Sequence, residues 1–474
     1  MTATRDEPII IVGAGIFGLS SALHLAQRGY TDVTIFDKQP YHKSLYSYDQ
    51  GCDGASSDVN KIIRAAYGSK LEYQNMAFDA IEHWKRWNAE IESGQNLPPG
   101  MSAKDTLFIN NGNVSMTDVP GPALFEQATR ESMARAGKGD TQITLENPED
   151  VARAKSLGFG HAVNPFGREG NYGTLDTCAG VVYADKACRF ALHKVMQFGV
   201  KTVFGSEAGA YSGCLEKNGR VRGIRTIDGK EHQAALTIMA CGGWTPGLIP
   251  QLDGLCETTA GSVATFQVPR TSDLWDKLAP QRFPVWTYKM YDGEQGGFYA
   301  FPRDDQGVVK VGYRGLKYTN PQMQTDGCVR SVPVTRWTPI STRQVPLAAA
   351  QRIKSILKQF IPDLLPYHTK TRLCWYTDTY DNHFVIDYVP DKSGLLVVTG
   401  GSGHGFKFLP TIGRYVVDRI EGSRTPELEM WRWRRRRNDE VPYNKIMEGL
   451  SSRLALVNQA LAVEDSLDGE VARL

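Results

Sequence analysis

The sequence predicts an α/β fold, and three observations predict it. Ile9 to Val12 form a continuous apolar run of the kind a buried parallel strand presents, and GAGIFG follows at once. Leu19, Ala22, Leu23 and Ala26 then recur at helical spacing up to Gly29, and VTIFD ends a second strand on Asp37. Gly13, Gly15 and Gly18 stand in G-x-G-x-x-G spacing between that strand and that helix, so the unit reads as a βαβ dinucleotide-binding fold.

Each of these residue types has a physical task. Gly13 permits the tight turn, Gly15 leaves room for a pyrophosphate at the helix N-terminus, and Gly18 lets helix and strand pack closely. Asp37, 19 residues beyond Gly18, is spaced to accept hydrogen bonds from an adenosine ribose, and its charge disfavours a 2′-phosphate and hence NADP. Lys38 beside it is placed with the cofactor-binding residues. This motif alone leaves NAD and FAD open. A second stretch, ALTIMACGGW (235 to 244), carries a buried strand from Leu236 to Ala240 that ends in Cys-Gly-Gly. It resembles the second nucleotide-contacting strand of flavoproteins with two dinucleotide domains, usually written Ala-Thr-Gly, and Cys241 is the departure from that pattern. FAD becomes the leading cofactor.

The 474 residues suggest roughly two to three domains. With 41% hydrophobic and 22% charged residues and a net charge of +2, the balance asks for no polyanionic partner. Eight cysteines without a CxxC pair or a Cys/His cluster support neither a zinc site nor a secreted disulfide framework, so a reducing compartment is expected. The polar opening MTATRDEP and the lack of any long uninterrupted apolar stretch lead to the expectation of a soluble, non-secreted protein without a membrane span. The sequence closes on Ala-Arg-Leu, a permitted variant of the peroxisomal address, so a peroxisomal or cytoplasmic location and an import receptor as partner are expected.

DVNKIIRAAYG (58 to 68) sets Lys61 and Arg64 three residues apart, which on a helix or tight turn would put both cations on one face. The intervening Ile62 and Ile63 suggest partial burial, and buried cations need an anion. At this point the chain resembles the sarcosine oxidase, pipecolate oxidase and amadoriase family of FAD-dependent amine oxidases. The resemblance runs over nearly its whole length: GAGIFG, DVNKIIRAAYG, GGFYAFP and KVGY (296 to 313), CWYTDTYDNHFVID (374 to 387) and GGSGHGFKFLPTIG (400 to 413) follow in order.

The resemblance implies a Rossmann-like FAD-binding domain of the D-amino acid oxidase and sarcosine oxidase type, roofed by a second α+β substrate domain with a mixed sheet. It implies that Cys374, otherwise read as a core thiol, carries the flavin through a thioether to its 8-methyl carbon. It places Lys407 and Tyr376 at a substrate carboxylate, Arg64 on the same active-site face, Tyr299 similarly, and Lys61 is counted with them among the catalytic candidates. It also sets Lys310 above the flavin ring, where a fixed charge would stabilise developing superoxide. On composition alone Lys310 reads as an edge-strand lysine. In GGSGHGFK, small residues let the backbone approach a ligand edge, so Gly403, His404, Gly405, Phe406 and Lys407 are expected at the flavin.

The expected division is a discontinuous FAD-binding domain (1–95, 165–255 and 365–430), a substrate domain (96–164 and 256–364) and a C-terminal extension (431–474). In that extension WRWRRRR (431 to 437) reads as a structural or solvated segment rather than a nucleic-acid patch. The implied reaction is oxidation of the C–N bond of a secondary amine bearing a carboxylate to a hydrolysable imine, with O2 reduced to H2O2. A dehydrogenase using a non-oxygen acceptor and a specialised secondary-metabolite amine oxidase stay open. Cys374-Trp375-Tyr376 stands where amadoriases commonly have Cys-Trp-Cys, and Lys61 where sarcosine oxidases have Arg, so the substrate straddles subfamilies.

Overall fold

The computed structural model describes residues 3–121, 123–168, 172–448 and 451–468, so the terminal Ala-Arg-Leu lies outside the described residues. The expected βαβ unit forms as strand Ile9–Val12, helix Ile16–Gln27 and strand Val33–Asp37. It sits inside a six-stranded sheet ordered Val385–Tyr388, Leu395–Thr399, Leu236–Met239, Ile9–Val12, Val33–Asp37, Lys201–Phe204. All neighbours run parallel except the antiparallel edge strand Val385–Tyr388. IIIV, LTIM and LLVVT are buried at every position, as strands covered on both faces must be. Helix Leu71–Glu92 packs over one side with Tyr73, Ala77, Ala80, Trp84 and Ile91 turned inward at helical spacing.

The second large element is an eight-stranded mixed sheet ordered His368–Thr379, Cys256–Gln267, Val308–Tyr318, Phe298–Ala300, Val285–Tyr288, Asn113–Thr117, Tyr172–Asp176, Gln142–Thr144. Its long strands around FYAFP and VVKVGY are those expected from the sequence. Val308–Tyr318 pairs on both sides, with Cys256–Gln267 and Phe298–Ala300, so it is interior and not an edge strand. Lys310 is accordingly buried.

Two segments differ from the domain division expected above. Tyr172–Asp176, inside 165–255, pairs with Asn113–Thr117 in the eight-stranded sheet, and His368–Thr379, inside 365–430, forms that sheet's outer strand. A strand's residues do not name the sheet that receives it, because its neighbours come from distant segments of the chain. The helix or tight turn expected around Lys61 is instead a strand, Asn60–Ile63, antiparallel to Gly180–Tyr183. Adjacent Ile62 and Ile63 favour the pleated backbone.

The basic C-terminal run folds back on the chain. The Trp431 indole donates to the Tyr73 hydroxyl at 2.9 Å, and Arg434 grips Asp381 through two bonds of 2.6 and 2.7 Å. Among the described residues all eight cysteines are free, no acidic or His/Cys group is arranged for a metal ion, and no helix is long and apolar enough to cross a membrane.

Candidate active site

A cleft of about 310 Å³ runs from the βαβ turn to the edge of the eight-stranded sheet. At one end Gly13 takes φ +107°, and a Cβ there would lie 2.4 Å from the Ala240 carbonyl oxygen, where the Leu236–Met239 strand ends. A Cβ on Gly18 would stand 1.8 Å from the Gly13 carbonyl oxygen. These two glycines are steric requirements of the turn. Gly15 precedes the helix, and Ser56 Oγ accepts the Ile16 amide at 3.1 Å.

Asp37 lines the same end. Its Oδ2 accepts the Ala14 amide at 2.7 Å and its Oδ1 the Gln39 amide at 2.8 Å, yet burial outweighs both and pushes its carboxyl up. The Lys38 ammonium lies 4.4 Å from the Trp244 ring centroid and 5.1 Å from that of Trp337. A glycine-walled turn at a helix N-terminus with a carboxylate at its rim fits the adenosine diphosphate half of FAD. Gly13, Gly15, Asp37 and Lys38 would hold it.

The other end of the cleft meets Lys61, Trp375, Tyr376, Gly403, Gly405 and Phe406. Behind Lys61 stands Asp58, a residue that carries no motif in the sequence. Its Oδ2 takes Lys61 Nζ at 2.6 Å and Lys310 Nζ at 2.8 Å, and its Oδ1 takes Arg372 Nη2 at 2.5 Å. Lys310 also donates to the Asn60 carbonyl at 2.5 Å. Burial would raise the Asp58 carboxyl, but Lys310, Lys61 and Arg372 together hold it far below its usual range. Burial lowers Lys310 to about 8, with Lys61 and Arg372 adding to the effect and Asp58 opposing it.

Past this hub lie Tyr299 and Tyr376, whose hydroxyls are 3.5 Å apart. Both rings cross glycines of neighbouring strands, Tyr299 over Gly312 and Tyr376 over Gly261. The Cys374 thiol is buried and acts electrostatically on Lys61, Tyr299, Arg372 and Tyr376.

Lys407 is buried and donates to the Tyr67 hydroxyl at 2.9 Å. Tyr67 contacts His404 Nδ1 at 3.1 Å, and His404 Nε2 contacts the Asn382 carbonyl at 3.0 Å. The carbonyl only accepts, so Nε2 carries the proton and Nδ1 receives that of Tyr67. Burial and then Lys407 hold His404 well below its ordinary value, keeping it neutral. The His404 ring, expected at the flavin, is thus engaged by Tyr67 and Asn382 and stacks on Phe384 at 4.8 Å, while Gly403, Gly405 and Phe406 line the cleft. Burial, then the charge of Arg64, lower Lys407 well below its ordinary value; only Asp176 pulls it back. Burial would lower Arg64, but the nearby hydroxyls of Tyr291 and Tyr67 raise it, and it lies 6.0 Å from the Phe125 ring centroid. Asp58, Arg372, Tyr67 and Asp176 escaped the sequence reading. The resemblance through DVNKIIRAAYG passed over Asp58 and Tyr67 without giving either a role, and nothing pointed to Arg372 or Asp176.

A dinucleotide cleft that ends among buried cations, with glycine loops on its wall, defines an oxidoreductase built around a bound nucleotide cofactor. The chain belongs to the FAD dependent oxidoreductase (DAO) family, which it matches over residues 8–419. It is 27% identical to L-saccharopine oxidase of Schizosaccharomyces pombe, over 90% of this chain and 93% of that one. It is 24% identical to the peroxisomal sarcosine oxidase of Homo sapiens, over 91% of this chain and 96% of that one. Among solved structures it superposes on the deglycating fructosamine oxidase of Aspergillus fumigatus, Amadoriase II, with a TM-score of 0.72 and 26% identity, covering 96% of this chain and 95% of that one.

Proposed function

We propose that this FAD-dependent oxidoreductase is an oxidase of secondary amines that carry a carboxylate. The observation that carries the reading is the pair of cations formed by half-buried Arg64 and buried Lys407, whose shared carboxylate neighbour Asp176 is itself pushed up to about 6 by burial. Two cations beside a carboxylate that burial disfavours leave a site that an incoming carboxylate would complete. The printed names of the relatives, oxidases of saccharopine, sarcosine and fructosamines, support an amine that bears such a group.

Arg64, Lys407 and the Tyr376 hydroxyl hold the carboxylate, and holding it fixes the carbon beside the nitrogen in one place. A bound carboxylate also opposes the effect of burial and of Arg64 on Lys407 and favours its charged form. Tyr299 narrows the space next to Tyr376. Gly13, Gly15, Asp37 and Lys38 would hold FAD, which would supply two-electron oxidation of the substrate's CH–NH unit to an imine that water hydrolyses, the two electrons and two protons ending on dioxygen as hydrogen peroxide. Lys61 and Lys310, tied to Asp58, keep fixed positive charge at that end of the cleft, where reduction of oxygen develops negative charge. Cys374 is the attachment point for the flavin.

Peroxide release across sarcosine, L-pipecolate, L-saccharopine, fructosyl amino acids and N-methyl aromatic amino acids tests the activity, with at least one substrate expected. Silence with oxygen, together with fast reduction of a quinone by the same amines, would move the reading to a dehydrogenase. Yellow colour that stays with acid-precipitated protein and is lost in Cys374→Ala would support attachment; colour released into the supernatant from the unaltered protein would refute it.

A further inference from the structure

Strand Val308–Tyr318 alternates Lys310, Gly312 and Arg314 on one face. The first two are accounted for: Lys310 belongs to the Asp58 hub, and Gly312 makes room for the Tyr299 ring. Arg314 continues the same face toward the cleft. Its Nη1 is so near Gly403, a cleft-wall residue, that a Cβ there would meet it at 2.9 Å, and its guanidinium lies 5.9 Å from the Tyr376 ring centroid. Among the described residues it has no hydrogen-bond acceptor and no ion-pair partner. Asp378, the anion that acts on it at longer range, is already bound by Lys317 at 2.5 Å and by the Thr259 hydroxyl at 2.6 Å.

A half-buried guanidinium without a protein acceptor is costly to the extent that its N–H groups lose hydration and gain nothing in return. The cost is met when a ligand brings the anion. The rest of the site cannot bring it: Lys61, Lys310 and Arg372 share the one carboxylate of Asp58, and the carboxylates beside Arg64 and Lys407, Asp176 and Glu126, act on those two cations and not on Arg314. Positive charge exceeds negative charge around the tyrosine pair, and a substrate with a single carboxylate, spent on Arg64 and Lys407, would leave Arg314 bare.

We propose that Arg314 is a specificity-determining residue that binds a second carboxylate of the substrate, so that the preferred amines are N-(carboxyalkyl) amino acids, with an acid on each side of the nitrogen. This inference rests on the reading that Arg64 and Lys407 take the first carboxylate. The planar fork of an arginine suits a carboxylate accepted through two parallel bonds. The Tyr376 ring, 5.9 Å away, adds a cation–π contact to the guanidinium. Tyr376 then stands between the two acid sites and sets the spacing at which both are satisfied.

The test uses thioether analogues, in which sulfur replaces the amine nitrogen and nothing can be oxidised. Methylthioacetate carries one carboxylate; thiodiacetate and homologues with progressively longer second chains carry two. Binding is read from the perturbation of flavin absorbance in the holoenzyme, so no turnover is required. At least one dicarboxylate is expected to bind about tenfold or more tightly than methylthioacetate. Arg314→Met and Arg314→Gln should erase that preference while leaving methylthioacetate binding unchanged, and Arg314→Lys should keep part of it. No preference in the unaltered enzyme for any chain length would overturn the proposal. So would equal loss of both ligand classes in the Arg314 variants, or loss of bound flavin from them, which would make Arg314 a residue of the cofactor site. If neither class perturbs the flavin of the unaltered enzyme, the carboxylate reading of Arg64 and Lys407 fails first and takes this inference with it.

Discussion

The Lys310 ammonium and the Asp58 carboxylate, each with a side chain about 1% exposed, meet at 2.8 Å behind the Lys61 that lines the cofactor cleft. Three cations on one buried carboxylate cannot all be fully compensated, and Lys310, lowered to about 8, is the member whose charge changes in an accessible range. The rate at which dithionite-reduced flavin is reoxidised by oxygen should therefore fall as pH rises through about 8. Lys310→Met should slow that step by about a hundredfold and remove its pH dependence, as the loss of one fixed charge at a reacting centre does. Stopped-flow absorbance of the flavin reads both. Unchanged reoxidation in Lys310→Met would sink the role given to this lysine.

Asp58→Asn leaves three buried cations without their anion. Removing one partner of a buried pair costs about 3–5 kcal/mol, so the variant should lose that order of stability in urea unfolding. Asp58→Asn combined with Arg372→Met removes one charge of each sign and should recover a large part of it. If Asp58→Asn folds, Lys310 has lost the one group that raises its pKa, and the pH profile of reoxidation should move to the acid side. A variant with wild-type stability and profile would show that the hub is not coupled.

Asp176 reaches only Gln142 Nε2 and the Cys178 amide, both through Oδ1, and its Oδ2 has no partner among the described residues. Its folded carboxyl sits near 6 against an ordinary 3.8, raised by burial, so the folded state binds the proton more tightly than the unfolded chain. Stability from this group is full below about 3.8 and is lost as pH rises through 6. Asp176→Asn keeps the Oδ1 acceptor and removes the charge. At neutral pH it should stabilise the protein by about 1–3 kcal/mol, and the gain should vanish near pH 4. Thermal melts of both proteins across that range would detect it; equal melting at neutral pH would contradict the buried charge.

The βαβ unit was legible because its chemistry is local: turn, helix start and acid lie within one stretch of chain, and each residue type is forced by sterics or charge. The strand around Lys310 was legible as a strand, but its interior position was not, because pairing on both sides depends on segments far away. Asp58 was invisible for the same reason. Its partners Lys310 and Arg372 are 252 and 314 residues distant, and Asp58-Val59-Asn60-Lys61 looks like any polar turn. His404 shows the reverse case. Its glycine setting correctly marked a backbone on the cleft wall, but the direction of the ring was fixed by Tyr67, Asn382 and Phe384, which share no motif with it.

Gly312 offers a test of whether the tyrosine pair is a built feature. A Cβ at this position would lie 2.1 Å from Cζ of Tyr299 and 2.4 Å from its hydroxyl oxygen, well inside van der Waals contact. The ring could not stay, and its hydroxyl would leave the one it faces on Tyr376 at 3.5 Å. Gly312→Ala should therefore destabilise the protein by about 1–3 kcal/mol, the cost of forcing one methyl group into a packed site. Tyr299→Ala alone also destabilises, by deleting the ring. In Gly312→Ala/Tyr299→Ala the methyl enters the space that the ring vacates, so the double variant should be more stable than the sum of the single losses by about 1 kcal/mol or more. Because that coupling arises only from the clash between this glycine and this ring, additive losses in urea unfolding would mean that Tyr299 does not occupy the face of Gly312 in solution.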